Sequence, residues 1–415
     1  MRLMISLAAL FLSVILLQLG LQSVLPFDAV SGMALGFSAG QVGLLGSAHF
    51  LGFFVGCWWA PRLMGEVGHS RAFAAFTAAG TIGVLAHMMV ADPWAWAVMR
   101  IATGLATAGC YTIIEAWMQS KVNNANRGRV VGIYRVVDIT GSLAAQLLIG
   151  VLTPAAYLSY NVLALLCCAA LFPMVLTKAE APQTGLAPRL RPWLAWERSP
   201  LAAVAVVASG VTISAFRSIG PVYGIEVGLN TEMVALFLGA FVVGGGVAQF
   251  PVGWLADRYD RRKVVIWLAV ATVASCLLAI GVEGLGAEAV LIAAAIFGLA
   301  SYPVFSVAAA HAHDHAAADE RVELSAALMF LYAVGAIASP LAAAYLVDAF
   351  GPAAMFALIA LVNAVLAGWG VLRLRARASP EARTAYTYVP RTSFLIGRLL
   401  GRGREEGAPK DDGAP

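Results

Sequence analysis

Long apolar runs recur along this chain, separated by short polar connections, at about residues 4–25, 39–60, 72–91, 94–118, 130–151, 155–177, 200–222, 232–252, 264–281, 286–308, 324–347 and 352–372. Each approaches the roughly 20 apolar residues that a helix needs to cross a hydrocarbon core of about 30 Å. Barrel strands would be about half that length and would alternate apolar with polar positions. These runs do not alternate, so they predict twelve transmembrane helices, each satisfying its backbone polar groups internally. The first run is too long for a signal-peptide core and lacks a clear small-residue cleavage site, so it reads as the first span.

Composition points the same way. Of 415 residues, 60% are hydrophobic and only 12% charged, against about 25% charged in an ordinary soluble domain. That excess of apolar surface needs lipid as its solvent. The five cysteines (Cys57, Cys110, Cys167, Cys168, Cys276) all fall inside the runs, where they read as small packing residues without a disulfide pattern.

Charge orients the bundle. The connections after even-numbered runs carry Arg62 and Arg71; Lys121, Arg127 and Arg129; Lys178, Arg189, Arg191 and Arg198; Arg258, Arg261, Arg262 and Lys263; and Arg321. Arg2 and the tail from Arg373 share that side. The connections after odd-numbered runs carry no Lys or Arg and hold acids such as Asp28, Glu226, Glu283, Glu288 and Asp348. The positive-inside rule then puts both termini in the cytoplasm, in a multi-pass plasma (inner) membrane protein. The net charge of +4 reflects this topology and contact with anionic lipid, and argues for no nucleic-acid partner.

Four segments result: a six-helix bundle over 1–177, a polar central loop over 178–199, a second six-helix bundle over 200–372, and a basic tail over 373–415 whose end is rich in Gly, Pro and charge. In the central loop, Trp193 and Trp196 suit a short amphipathic segment on the membrane surface. The halves also look like repeats. PRLMGEVGHS (61–70) matches the place of GWLADRYDRR (253–262), and GLATAGCYTIIEAW (104–117) resembles GLASYPVFSVAAAH (298–311), at offsets of 192 and 194 residues. A parallel six-helix repeat of this kind is the arrangement of major facilitator transporters.

The residues from Gly253 to Lys263 carry a closer resemblance. GWLADRYDRRK resembles the family signature G-x-L-a-D-R-x-G-R-R-K, departing at Asp260 where glycine is usual. Gly253 allows close helix approach, and Asp257 at a helix end can accept from Arg258 or Arg261. In the family this motif acts as a conformational latch between halves. The first-half copy is degenerate, with Gly65 in place of the aspartate and Glu66 in place of the arginine. QVGLLGSAHFLGFFVG (41–56), Glu115-Ala116-Trp117 and Tyr302-Pro303-Val304-Phe305 add a likeness to the YcaD-like branch of the major facilitator superfamily, over about residues 5–372. The resemblance implies a secondary active transporter of a small organic solute, working by alternating access, with proton-coupled efflux as the expected mode. Arg100 and Gly104 resemble the R-x-x-x-G signature that the family associates with proton coupling.

Polar groups inside the runs are few, and each is a candidate because ionisable side chains in lipid are expensive. Arg100 needs a carboxylate or a wet cavity to offset its burial. Asp138 is the best protonatable carboxylate of the pathway, and Arg217, His49, Gln18, Gln22, Gln146 and Gln249 complete the expected cavity. Glu115 and Arg135 lie at similar depth near the cytoplasmic side and form an expected inner-gate pair, joined by Gly253, Asp257, Arg258, Arg261 and Arg262. His49 and His87 read equally as hydrogen-bonded packing residues. Gly244-Gly245-Gly246 lacks the G-K-[ST] of a phosphate loop.

SVAAAHAHDHAAADER (306–321) resembles a metal site at first sight, because His311 and His315 lie one helical turn apart with Asp314 between. The stretch follows the tenth run, is alanine-rich and is expected to face water at a helix end, so it reads first as a gate loop. No resident metal is expected; His311, Asp314 and His315 are the weak candidates. The chain carries no Walker motif, no G-x-S-x-G and no H-E-x-x-H, and no enzymatic activity or cofactor is expected beyond a proton gradient. The expected partners are a small-molecule substrate and the bilayer, around a monomer. The competing readings are a non-transporting receptor or assembly factor on the same scaffold, and a metal-ion transporter.

Overall fold

The computed structural model describes residues 2–121, 127–176, 190–317 and 320–376. The expected central loop up to residue 189, with Lys178 and Arg189, and the expected tail beyond 376 lie outside the described residues. Among those described there is no strand. Twelve helices are long and apolar enough to cross a membrane: α1 (Leu7–Ala34), α2 (Ala39–Val67), α3 (His69–Met89), α4 (Pro93–Met118), α5 (Arg129–Val151), α6 (Tyr157–Leu176), α7 (Pro200–Glu226), α8 (Thr231–Arg258), α9 (Arg261–Gly281), α10 (Ala287–His313), α11 (Arg321–Phe350) and α12 (Ala353–Leu374). The end of the bundle at which α1 begins and α12 ends is called the basic end below, and the opposite one the distal end.

Short polar side chains start several of these helices. Ser38 and Gln41 form a reciprocal capping box at α2, Asn230 accepts from the Met233 N–H at α8, and Ser199 accepts from the Ala202 N–H at α7. Within each half, glycine lets two helices meet backbone to backbone. A Cβ on Gly52 would lie 2.0 Å from the Ile101 carbonyl oxygen, and one on Gly104 would lie 2.0 Å from that of His49, so α2 and α4 touch without side chains between them. The second half repeats the device. A Cβ on Gly244 would meet the Ala295 carbonyl oxygen at 2.0 Å, and one on Gly298 that of Phe241 at 2.1 Å, joining α8 to α10. These glycines stand at the same offsets that separate the sequence repeats.

The halves meet along α2 with α11 and along α5 with α8. At the distal end the approach is very close: a Cβ on Gly43 would lie 2.5 Å from Ala344 Cβ, and one on Gly46 would lie 2.6 Å from Ser218 Oγ. Asp348 also accepts from the Gly40 N–H across this seam, at 2.8 Å.

Two expectations need correction here. The first span does not stop near residue 25. It passes through a π-helical turn at Gln18–Gln22 and continues to Ala34. Pro26 is tolerated because it falls in the first α-turn after the π turn, where its missing N–H leaves no helical bond unmade. Asp28, expected in a distal connection, is therefore inside the bundle and fully buried. The histidine stretch, expected to face water, is folded inward instead: α10 runs to His313, with His311 5% exposed and the Asp314 side chain 2% exposed.

Candidate functional site: a polar cavity between the halves

A cavity lies between the two halves. Gln18, Gln22, His49, Asp138, Gln146 and Arg217 supply polar wall, so six of the eight residues expected there converge. They come from α1, α2, α5 and α7, and all but Gln22 and Arg217 are largely buried. Tyr111, not foreseen, adds a phenol. Aromatic side chains, among them Phe50, Phe53, Phe216 and Phe241, close the remaining surface.

The π turn organises this wall. A widened turn inserts one extra residue into a helix and frees a backbone carbonyl. Ser23 Oγ serves that region by donating to the Leu19 carbonyl at 2.8 Å. The turn presents two glutamines to the cavity. Gln18 Nε2 donates to Asp138 Oδ1 at 2.7 Å, and Gln22 Oε1 accepts from Arg217 Nη2 at 3.3 Å. Asp138 belongs to the first half and Arg217 to the second. A carboxylate and a guanidinium on opposite halves are thus linked through one turn of α1.

Two expected wall residues are elsewhere. Gln249 folds back on its own helix and donates to the Gly245 carbonyl at 3.4 Å. Arg100 is fully buried behind the wall, toward the distal end. Its offsetting carboxylate is Asp28, with Arg100 Nε 3.6 Å from Oδ2. His87 Nε2 lies 3.0 Å from the same Oδ2, and its Nδ1 lies 2.6 Å from the Gly83 carbonyl oxygen. Tyr160 donates to Asp28 Oδ1 at 2.8 Å. A carbonyl only accepts, so the Nδ1–H donates to Gly83. His87 is thus a counterpart of Asp28 as well as a packing residue against Trp96 and Tyr160.

At the basic end, Arg261 is 2% exposed. Its Nη1 donates to both oxygens of Asp314, at 2.8 and 2.9 Å, and to the Ala310 carbonyl at 3.1 Å. Nη2 donates to Asp257 at 3.3 Å, and Nε to the Ala256 carbonyl. The guanidinium therefore sits at the C-terminal ends of α8 and α10, where helix dipoles favour a cation. These bonds tie two helices of the second half. Arg258 lies over the Trp254 ring, 5.3 Å from its centroid, and Gly253 is buried. Asp260, the departure from the family signature, caps α9 by accepting from the Arg262 N–H and pairs with the Arg262 guanidinium at 2.6 Å. Burial alone would raise its pKa, yet those bonds hold the carboxyl below its ordinary value. The degenerate first-half turn shows no ion pair among the described residues, and Arg62 lies over Trp58 at 4.0 Å. Glu115 is fully buried and Arg135 half-buried.

Asp314 is thus bound up with Arg261. His311 and His315 have ring centroids 5.0 Å apart, and among the described residues no group of three or more His, Cys, Asp or Glu is placed to hold a metal ion.

Twelve membrane-crossing helices in two repeated halves, with a polar cavity at their junction, define a polytopic membrane protein of the alternating-access type. The family model described as Major Facilitator Superfamily matches the chain twice, over residues 4–240 and 203–403, and the chain belongs to that superfamily. It is similar to an uncharacterised MFS-type transporter of Yersinia enterocolitica, 27% identical over 327 residues, covering 78% of this chain and 84% of the relative. The uncharacterised MFS-type transporter YcaD of Escherichia fergusonii is 24% identical over 326 residues, with the same coverage. Among solved structures, the nucleoside transporter NupG superposes with a TM-score of 0.74 at 13% identity, covering 91% of this chain and 100% of NupG. A bacterial homologue of the lysosomal transporter Spinster gives 0.70 at 15% identity, covering 91% and 98%. The chain is a membrane-embedded transporter of the secondary type, not an enzyme, and its partner is a small molecule.

Proposed function

We propose that the chain is a proton-coupled antiporter that exports a small organic solute across a bacterial inner membrane, with the basic end in the cytoplasm. The link Asp138–Gln18–Gln22–Arg217 carries this reading. An ionised Asp138 only accepts hydrogen bonds, so it fixes the Gln18 amide with its NH₂ forward. A proton on Asp138 turns the carboxyl into a donor and favours the reversed amide. Because Gln18 and Gln22 share the π turn, that change reaches the Gln22–Arg217 contact, which crosses between the halves. A solute that donates to Asp138 competes with the proton for the same oxygens, and such competition is what exchange requires. The aromatic wall suits a solute with an apolar face. Glu115 with Arg135, and the Arg261 cluster, belong in this reading to the inner gate. The outward direction rests on the family resemblance.

The test begins with a metabolite and drug screen of cells lacking and overproducing the protein, followed by flux of the hit in proteoliposomes. Asp138→Asn is expected to abolish solute-dependent proton movement while solute counterflow persists. Unchanged proton movement removes Asp138 from the coupling step, and proton-independent accumulation in wild type removes coupling altogether.

A further inference from the structure

A second, smaller and shallow cleft lies at the basic end, lined by none of the residues of the central cavity. The starts of α7 and α9 meet the ends of α10 and α12 there. Its walls are Arg198, Arg262, Arg373, His311 and His315, with Ser199, Pro200 and Leu201. No carboxylate is among these residues. Beside the cleft, Glu320 pairs with Arg198, and Asp260 pairs with Arg262 and lies within electrostatic reach of His311. Arg373 has no carboxylate partner among the described residues; its guanidinium lies over the Trp369 ring, 5.7 Å from the centroid. The N-terminus of α7, with the positive end of its dipole, opens on the same space. Three guanidinium groups around one concavity match the charge and fork geometry of a phosphate.

The surroundings say where the phosphate comes from. The short helix Pro192–Arg198 buries Leu194 and Ala195 and exposes Trp193 and Trp196. Trp196 stacks on Trp369 with centroids 6.1 Å apart. An aromatic shelf of this kind sits at headgroup depth in a bilayer. Below it, Trp267 and Val270 of α9 and Val365 and Leu372 of α12 are exposed apolar surface, suited to acyl chains. We propose that this cleft binds the phosphate of an anionic phospholipid, with the acyl chains lying along α9 and α12. Basic pockets between membrane helices are known to take such headgroups. Bound there, the lipid would bridge the surface helix to the Arg262 side of the basic-end cluster.

The test uses the purified full-length protein in detergent, with thermal unfolding followed on addition of phosphatidylglycerol, phosphatidylcholine or inorganic phosphate. Phosphatidylglycerol is expected to raise the midpoint by about 5 °C, and the other two by much less. Arg373→Gln touches no ion pair and is expected to keep the lipid-free midpoint while losing most of that rise. Equal shifts with phosphatidylglycerol and phosphatidylcholine would overturn the phosphate-specific site, as would a full shift in Arg373→Gln. An equal shift with inorganic phosphate would overturn the lipid as its source. The three wild-type measurements decide the matter even where the variant does not fold.

Discussion

A guanidinium sealed from solvent needs its counter-charge in the same sealed volume, and Arg100 finds it in Asp28, with His87 and Tyr160 completing the carboxylate's shell. Asp28→Asn would leave Arg100 charged and uncompensated, at a cost of about 3–5 kcal/mol. His87→Gln, which removes one hydrogen bond, should cost about 1 kcal/mol. Thermal unfolding of the two purified variants is expected to rank them in that order, and a wild-type midpoint for Asp28→Asn would refute the pairing. The need for a partner was legible from Arg100 lying in an apolar run; the partner's identity was not. Asp28 follows Pro26 at the edge of the first run, and only a helix that continues through the proline brings it inside. The cavity residues were easier. Gln18, Gln146, Asp138, His49 and Arg217 interrupt apolar runs, and each interruption faces the cavity. Gln249 interrupts a run just as clearly, but its amide is satisfied by the preceding turn, which a sequence does not display.

The basic-end connections hold together through pairs that depend on ionised acids. Hydrogen bonding from Arg198 lowers the pKa of Glu320 below its ordinary 4.5, and Arg262 overcomes burial to lower Asp260 below 3.8. A depressed folded pKa contributes stability that is complete above the unfolded value and lost as pH falls through the folded one. The surface helix Pro192–Arg198 should therefore keep its protection above the ordinary glutamate value of 4.5 and lose it only as pH falls through the lower folded value of Glu320. Hydrogen exchange, corrected for intrinsic rate, measures this. In Arg198→Gln the protection should be low throughout and the acid step gone; a step of wild-type size in that variant would dissociate the helix from Glu320. The motif from Gly253 to Lys263 announced a charge cluster, and the cluster exists. Its role as a tie between α8 and α10 was hidden, because Asp314 is 53 residues from Arg261 and the histidines beside it drew attention to a different chemistry.

Across the whole molecule, the two halves press together hardest at the distal seam, where Gly43 and Gly46 admit α11 and α7 and Asp348 reaches Gly40. Alternating access requires this seam to part. Gly43→Leu inserts a side chain where even a Cβ meets Ala344 at 2.5 Å, so it should shift the population toward a distally open state. Spin labels at the exposed positions Leu35 and Phe350 are expected to move apart in double electron–electron resonance; an unchanged distance distribution would mean that the seam does not set the balance. The twelve-helix count and the twofold repeat were readable because lipid imposes run length and duplication preserves glycine positions. The seam was not, since its contacts join α2 to segments of the other half, as far apart as Gly40 and Asp348, 308 residues along the chain.

The π turn at Gln18–Gln22 gives α1 a reading frame. One residue in an α-helix is about 100° of rotation, so the extra residue sets the face before the turn against the face after it. Gln18 meets Asp138 on one side of that offset, and Asp28 meets Arg100 on the other. Loss of a single leucine here would leave length and apolarity almost unchanged, yet only one of the two sets could stay in phase. In this stretch a deletion is a graver change than any one substitution, and the spacing between Gln18 and Asp28 is as much a part of the message as the residues themselves.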